Sequence, residues 1–264
     1  MVEMDNDDGR SMLATFLVPT ALMVIVYLAV TGGANFLTLL AVRSGFVTFH
    51  THGHWISNLL RNTFTVLFGL LAIRVIGLSR AEIGLTFSRE RSYIPHALVI
   101  GAAAGAMLTA LIFLPALLHG LQTPPAHVPK LPAGSPPVPA IWEQALIFGV
   151  QGIVQAFLFF GIVQAYLMRK SMAHVRLGPW ELPTAGIAVC IVAACNFLPW
   201  FRGSQLRMAF TMMVLAPLAF QSLVLLASSF WFERSRCLAA PMLAFGMYYG
   251  VIPVFWRIMF NAVS

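Results

Sequence analysis

The sequence predicts an all-α, polytopic membrane protein, a bundle of about seven transmembrane helices, or eight on one alternative. Three observations predict it. Of 264 residues, 59% are apolar and only 9% charged, and the mean hydropathy is +0.83. A soluble domain carries roughly 25% charged residues. So few charges cannot cover a surface that faces water, so most of this surface faces lipid. The apolar residues also gather in long runs, near 12–32, 57–78, 94–119, 140–168, 182–200, 208–231 and 238–258. Each run, as a helix, can cross about 30 Å of hydrocarbon. Finally, the basic residues fall between the runs with a bias to one side. Loops 79–93, 169–179 and 232–237 hold eight Lys and Arg, whereas loops 120–139 and 201–207 hold three. The basic set is expected to be cytoplasmic.

The elements follow in order. The start, MVEMDNDDGR, is acidic. A cleavable signal peptide has a basic start and a shorter apolar run, so residues 1–11 are expected as a cytoplasmic tail before an uncleaved first helix. Residues 12–79 hold the N-terminal spans. Within them, 34–49 (ANFLTLLAVRSGFVTF) is short and carries Arg43. It reads as an interfacial or re-entrant segment, with an eighth crossing as the alternative. Residues 80–264 form the membrane core. The run 140–168 is the longest and is expected to tilt or to extend past the membrane. The loop 120–139, LQTPPAHVPKLPAGSPPVPA with its flanking residues, is proline-rich and reads as an extended connection on the outer face. Arg61 and Arg74, near opposite ends of the second span, are expected to snorkel to the interfaces.

The formal charge of +7 and pI near 9.9 do not point to nucleic acid. The cations are scattered singly without interleaved aromatics, a pattern that orients a membrane protein. The expected partners are the lipid bilayer and other membrane proteins or hydrophobic peptides. Cys190, Cys195 and Cys237 form no CxxC, so neither a disulfide framework nor a zinc ribbon is suggested. The sequence contains no Walker A loop, HExxH or GxSxG.

Three sequence features carry candidate chemistry. The fourth span holds Gln144, Gln151 and Gln155, spaced seven and four apart. They fall within about 40° of one another on a helix. A stripe of amides at bilayer depth faces protein, because lipid offers no hydrogen-bond partner. It is either inter-helix glue or the wall of a polar site. His50, His52 and His54 alternate with small residues, with His119 and His127 on the same outer side. Such a cluster is either a polar interfacial loop or a site for a divalent metal, the only cofactor suggested. Gly101–Gly105 and Gly246–Gly250 are GxxxG pairs, suited to close helix contacts within the bundle or to docking another membrane protein.

The fourth span continues as Gln155-Ala156-Phe157-Leu158-Phe159-Phe160-Gly161, Glu82-Ile83-Gly84-Leu85 precedes the third span, and Val192 to Asn196 and Phe245 to Tyr249 follow in later spans. On these residues the chain resembles the CAAX protease and bacteriocin-processing (CPBP) family of intramembrane proteases. The family's helix reading roughly EExxFRG aligns with Gln155-Ala156-Phe157-Leu158-Phe159-Phe160-Gly161, followed by an apolar stretch ending at Arg169. Its Glu-(Ile/Leu)-Gly-Leu segment aligns with Glu82-Ile83-Gly84-Leu85. Its FxxxH aligns with Val192 to Asn196, and its HxxxN with Phe245 to Tyr249. The resemblance covers roughly residues 80–255 and implies a CPBP-like fold in a bacterial inner membrane.

The departures are chemical. The paired glutamates become Gln155 and Ala156. The motif arginine becomes Phe160 and the histidine Asn196, while the last His/Asn pair becomes Phe245 and Tyr249. A general base must take a proton, which Gln155 and Asn196 cannot do. The nine acids lie in tails, loops or helix ends. A second register places Glu143-Gln144 on the glutamate motif and keeps one acid, but at the outer mouth. The expected function is therefore an inactive pseudoprotease serving as a binding, scaffold or assembly subunit, its pocket lined by Gln144, Gln151, Gln155, Asn196 and Tyr249. The alternatives are an active endopeptidase using Glu143 and a metal- or solute-handling protein using the His50, His52 and His54 cluster.

Overall fold

Peptide groups in hydrocarbon have no partner but one another, so an apolar run crosses a membrane as a helix. The structure, a computed structural model, describes residues 6–45, 53–85, 93–119, 140–170, 174–177, 180–195 and 216–263. Its helices are α1 (Asn6–Arg43), α2 (Gly53–Ile76), α3 (Tyr93–His119) and α4 (Ile141–Ala156). A π-helical segment (Phe157–Gln164) continues α4 into α5 (Ala165–Arg169). After these come α6 (Thr184–Ala194), α7 (Ala216–Ser235) and α8 (Ala239–Val263). Between α5 and α6 the chain forms a short antiparallel hairpin, β1 (His174–Leu177) with β2 (Trp180–Pro183), a small addition to a helical architecture.

Among the described residues, five helical stretches are long and apolar enough to cross a membrane: Phe16–Arg43, Ile56–Ile76, Tyr93–Ile112, Ile141–Arg169 and Ala239–Arg257. The outward faces match a lipid solvent, with Val75 78%, Val99 67% and Leu59 64% exposed. Exposed apolar surface on this scale would drive association in water. The expected crossings at 182–200 and 208–231 correspond to α6 and α7. Each includes residues outside the described set.

One expectation is corrected. Residues 34–43, the part of the expected interfacial segment 34–49 that falls in a helix, are continuous with α1, which runs unbroken to Arg43. The Gly32-Gly33 pair is tolerated inside the helix. A Cβ at Gly33 would stand 3.2 Å from the Phe68 ring, so this glycine admits the neighbouring helix α2. The Thr31 and Thr38 hydroxyls donate to the carbonyls of Tyr27 and Ala34 one turn back, which removes two polar groups from competition with the helix. The chain turns only at Gly45, with φ +75°. Residues 46–49 lie outside the described set.

Helix α8 is the centre of the bundle, packed against both α3 and α4. Both contacts are closer than side chains allow. A Cβ on Gly101 would collide with the Ala244 carbonyl, and one on Gly105 would sit 2.6 Å from the Tyr248 carbonyl oxygen. On the other side, a Cβ on Gly152 would strike the Phe245 carbonyl, and Gly149 lies against Gly246 and Gly250. Both GxxxG pairs are thus used inside the bundle, where small residues let backbones approach. Below the glycines lies an aromatic core. Phe245 packs against Phe159 and Phe160, with ring centroids 6.0 and 5.9 Å apart. Tyr27 of α1 stacks on Phe159 at 5.3 Å.

The other conspicuous assembly ties one end of the bundle. Arg169 donates from Nη1 to the Gly77 carbonyl at 3.1 Å and from Nη2 to the Ile76 carbonyl at 3.0 Å, capping the last turn of α2 with a cation. The Ser79 backbone N–H donates to Glu82 Oε2 at 2.7 Å, and the Glu82 N–H donates back to Ser79 Oγ at 3.3 Å. Gly84, with φ +74°, turns the chain so that its carbonyl accepts from the Leu238 N–H at 3.0 Å. The segments 77–85, 169–170 and 235–238 therefore meet at one end of the bundle, as their shared basic character suggested.

Two predictions follow from this packing. Gly101→Leu and Gly152→Leu should each lower stability by about 3 kcal/mol or more, since a helix must be displaced. Gly32→Ala, where a Cβ meets nothing within 4 Å, should raise it by about 0.5–1 kcal/mol. Thermal unfolding in detergent distinguishes the two classes. The second prediction concerns pH. The Ser79 backbone N–H and hydroxyl hold the Glu82 carboxyl below its ordinary range, with Arg169 and Arg236 assisting. A depressed carboxyl stabilises the fold above its unfolded pKa and loses that effect as pH falls through the folded one. Glu82→Gln should therefore flatten the acid limb of the stability curve. At neutral pH it should cost less than about 1 kcal/mol, because the group is solvent-screened.

Candidate functional site

The polar residues of three helices converge on one cavity of about 200 Å³. Helix α1 contributes Tyr27, Thr31 and Asn35, four residues apart and hence on one face. Helix α2 contributes Arg61, Asn62 and Thr65. Helix α4 contributes Gln151, Val154 and Gln155, and Leu158 of the π segment closes the floor. The apolar faces of these helices are turned to lipid and their polar faces to one another, the arrangement expected where lipid cannot hydrogen-bond.

Arg61 organises the cavity. Its Nη2 donates to Gln151 Oε1 at 2.9 Å and to Asn58 Oδ1 at 2.7 Å. The first of these bonds joins α2 to α4. Arg61 therefore turns into the bundle instead of snorkelling to the interface, because an amide of α4 supplies a partner at depth. Arg74, at the other end of α2, is exposed. The Thr65 hydroxyl donates to the Arg61 carbonyl at 2.7 Å, and the Thr31 hydroxyl to the Tyr27 carbonyl at 2.8 Å. Both hydroxyl hydrogens are thus committed, which leaves these oxygens as acceptors. Gln155 Oε1 is buried with no hydrogen-bond partner among the described residues.

The sequence-predicted residues separate. Gln151 and Gln155 meet in the cavity as the stripe implied. Gln144, further out on α4, is not among the lining residues. Tyr249 does not line the cavity either. It packs on Phe245 and Tyr248, with centroids at 6.1 and 5.1 Å. Asn196 lies outside the described residues. Of the expected pocket residues, Gln151 and Gln155 line a cavity shared with α1 and α2. Of the positions aligned with family catalytic residues, Ala156, Phe160 and Phe245 are fully buried, the two phenylalanines in the aromatic core. Glu143 accepts from the Ala140 N–H at 2.8 Å, capping the start of α4.

His50 and His52 fall outside the described residues, as does the side chain of His54, which begins near the start of α2. Among the described residues no group of three metal-ligating side chains comes together.

Sequence reasoning missed Arg61, Asn62, Thr65, Tyr27, Thr31 and Asn35. A signal existed: Tyr27, Thr31 and Asn35, like Arg61 and Thr65, recur every four residues inside apolar runs. A second buried polar group lies on the opposite side of the π segment. Gln164 Nε2 donates to the Ser229 carbonyl at 3.0 Å, while Gln164 Oε1, Gln221 Nε2 and the Ser228 and Ser229 hydroxyls are buried without partners among the described residues. No family model, curated protein or solved structure matches the chain.

Removing the α2–α4 bridge tests the geometry. Arg61→Leu leaves the Gln151 and Asn58 amides without their donor and should destabilise the protein by about 1–3 kcal/mol. Arg61→Lys, which keeps the charge but not the two-pronged geometry, should recover part of the loss. Chemical denaturation in mild detergent checks both.

Proposed function

We propose that this chain is a non-catalytic membrane protein of CPBP-like design that binds segments of other membrane proteins and assembles with them. The observation that carries this reading is the chemistry of the cavity. Among the described residues its polar lining consists of amides, hydroxyls and one guanidinium, groups that hold a ligand by hydrogen bonds but do not take a proton at neutral pH. Asn35 is exposed at its edge, which gives a neighbouring segment a route to the polar wall. The burial of Phe160 and Phe245 in an aromatic core supports the same reading, as does the use of Glu143 as a helix cap. The end of the bundle that carries Arg169, Glu82 and Arg236 is the cytoplasmic one on this proposal.

The test combines capture and cleavage. A photo-reactive residue at Asn35 should give a discrete protein adduct in native membranes, whereas the same residue at Val75, on the lipid face, should give only lipid adducts. Purified protein should leave prenylated and transmembrane peptides uncut. Cleavage abolished by Glu143→Ala would replace this reading with an active endopeptidase.

A further inference from the structure

Among the described residues, the cavity carries a positive charge that no lining acid answers. Arg61 is the one cation among its described lining residues, and the guanidinium donates to two neutral amides, those of Gln151 and Asn58. None of the described lining residues is an acid. Glu143, at the start of α4, is held by the Ala140 N–H. A cation at membrane depth is costly unless a counter-charge accompanies it.

We infer that the cavity is a site for a phosphate group, whose negative charge Arg61 neutralises. The donors fit a ligand with several oxygens. Around the guanidinium stand the amides of Asn62, Gln151 and Gln155, with Asn35 at the edge. The Arg fork presents more than one N–H to an oxyanion. A volume of about 200 Å³ accommodates a phosphate with a short polar substituent, but not a helix. Gln155 Oε1, buried without a partner among the described residues, accepts from a hydroxyl or protonated oxygen of the same ligand. Leu158 and Val154 floor the cavity with apolar surface. Two sources share this chemistry: the headgroup of an anionic phospholipid and free phosphate. The inference goes beyond the proposed function: it concerns the interior of the cavity, whereas a partner segment reaches its edge at Asn35.

Thermal unfolding of the full chain in zwitterionic detergent tests it, with phosphatidylglycerol, phosphatidylcholine and inorganic phosphate added separately. Phosphatidylglycerol should raise the midpoint in a saturable manner, and phosphatidylcholine should not. A rise with inorganic phosphate alone identifies the free anion as sufficient, and a rise with phosphatidylglycerol alone identifies the lipid headgroup. Arg61→Gln should weaken the apparent affinity at least tenfold, while Arg74→Gln, an exposed arginine on the same helix, should leave it unchanged. If Arg61→Gln does not fold, Gln155→Glu serves instead. Its carboxylate occupies the anion's place and should abolish the response in a folded protein. No response to either phosphate source overturns the inference, as does a response that survives Gln155→Glu. Capture at Asn35 without a phosphate response defeats this inference alone, and a phosphate response without capture defeats the assembly reading alone.

Discussion

The close approach of α8 to α3 and α4 is the contact on which the rest of the structure depends. Lipid tails are as apolar as leucine, so helices in a membrane gain little from burying apolar surface against one another. What brings them together is backbone proximity and dispersion, and both require that side chains be absent at the crossing. Gly101 and Gly105 on α3 face Ala244 and Tyr248, and Gly152 on α4 faces Phe245. With α8 held on both sides, the large rings of Phe159, Phe160 and Phe245 fill the space beside the crossing. The π segment that carries two of these rings then directs Gln164 toward α7. Extra residues per turn re-aim side chains along a helix, and such segments recur at functional sites.

The polar cavity is the consequence on the other face of α4. Once one side of α4 is committed to α8, its amide stripe faces α1 and α2. There Gln151 meets Arg61, and the two helices α2 and α4 gain a directional tie that apolar packing alone cannot supply. The cost of placing an arginine at that depth is offset only in part by two neutral amides. The cavity thus combines a structural tie between α2 and α4 with a guanidinium that meets no acid among the described lining residues.

The fold was largely legible in the sequence, and the candidate site only in half. Long apolar runs announced the helices because the bilayer imposes a length. The glycine pairs at 101–105 and 246–250 announced close contacts, although only the structure shows that they are spent inside the bundle. Gln151 and Gln155 were found because three amides on one helix face are conspicuous. Tyr27, Thr31 and Asn35 were not, because a few weakly polar residues in an apolar run look like ordinary helix neighbours. The segment 34–49 was expected to stand apart from the first helix because it is short and carries Arg43. Its first ten residues instead continue α1, which packs on α2 through Gly33 and Phe68.

By itself the sequence determined the solvent of this protein, its helical class, the approximate places of most helices and the absence of acids from the middle of the membrane-spanning runs. These are properties of composition and periodicity, read along one dimension. Only the tertiary structure decided that Arg61 turns inward instead of snorkelling, that α1 continues to Arg43, and that Gln151 and Gln155 share a cavity with α1 and α2. Each of these depends on which face of one helix meets which face of another. That pairing is set by the glycine crossings between helices far apart in the chain, and no single run of residues encodes it.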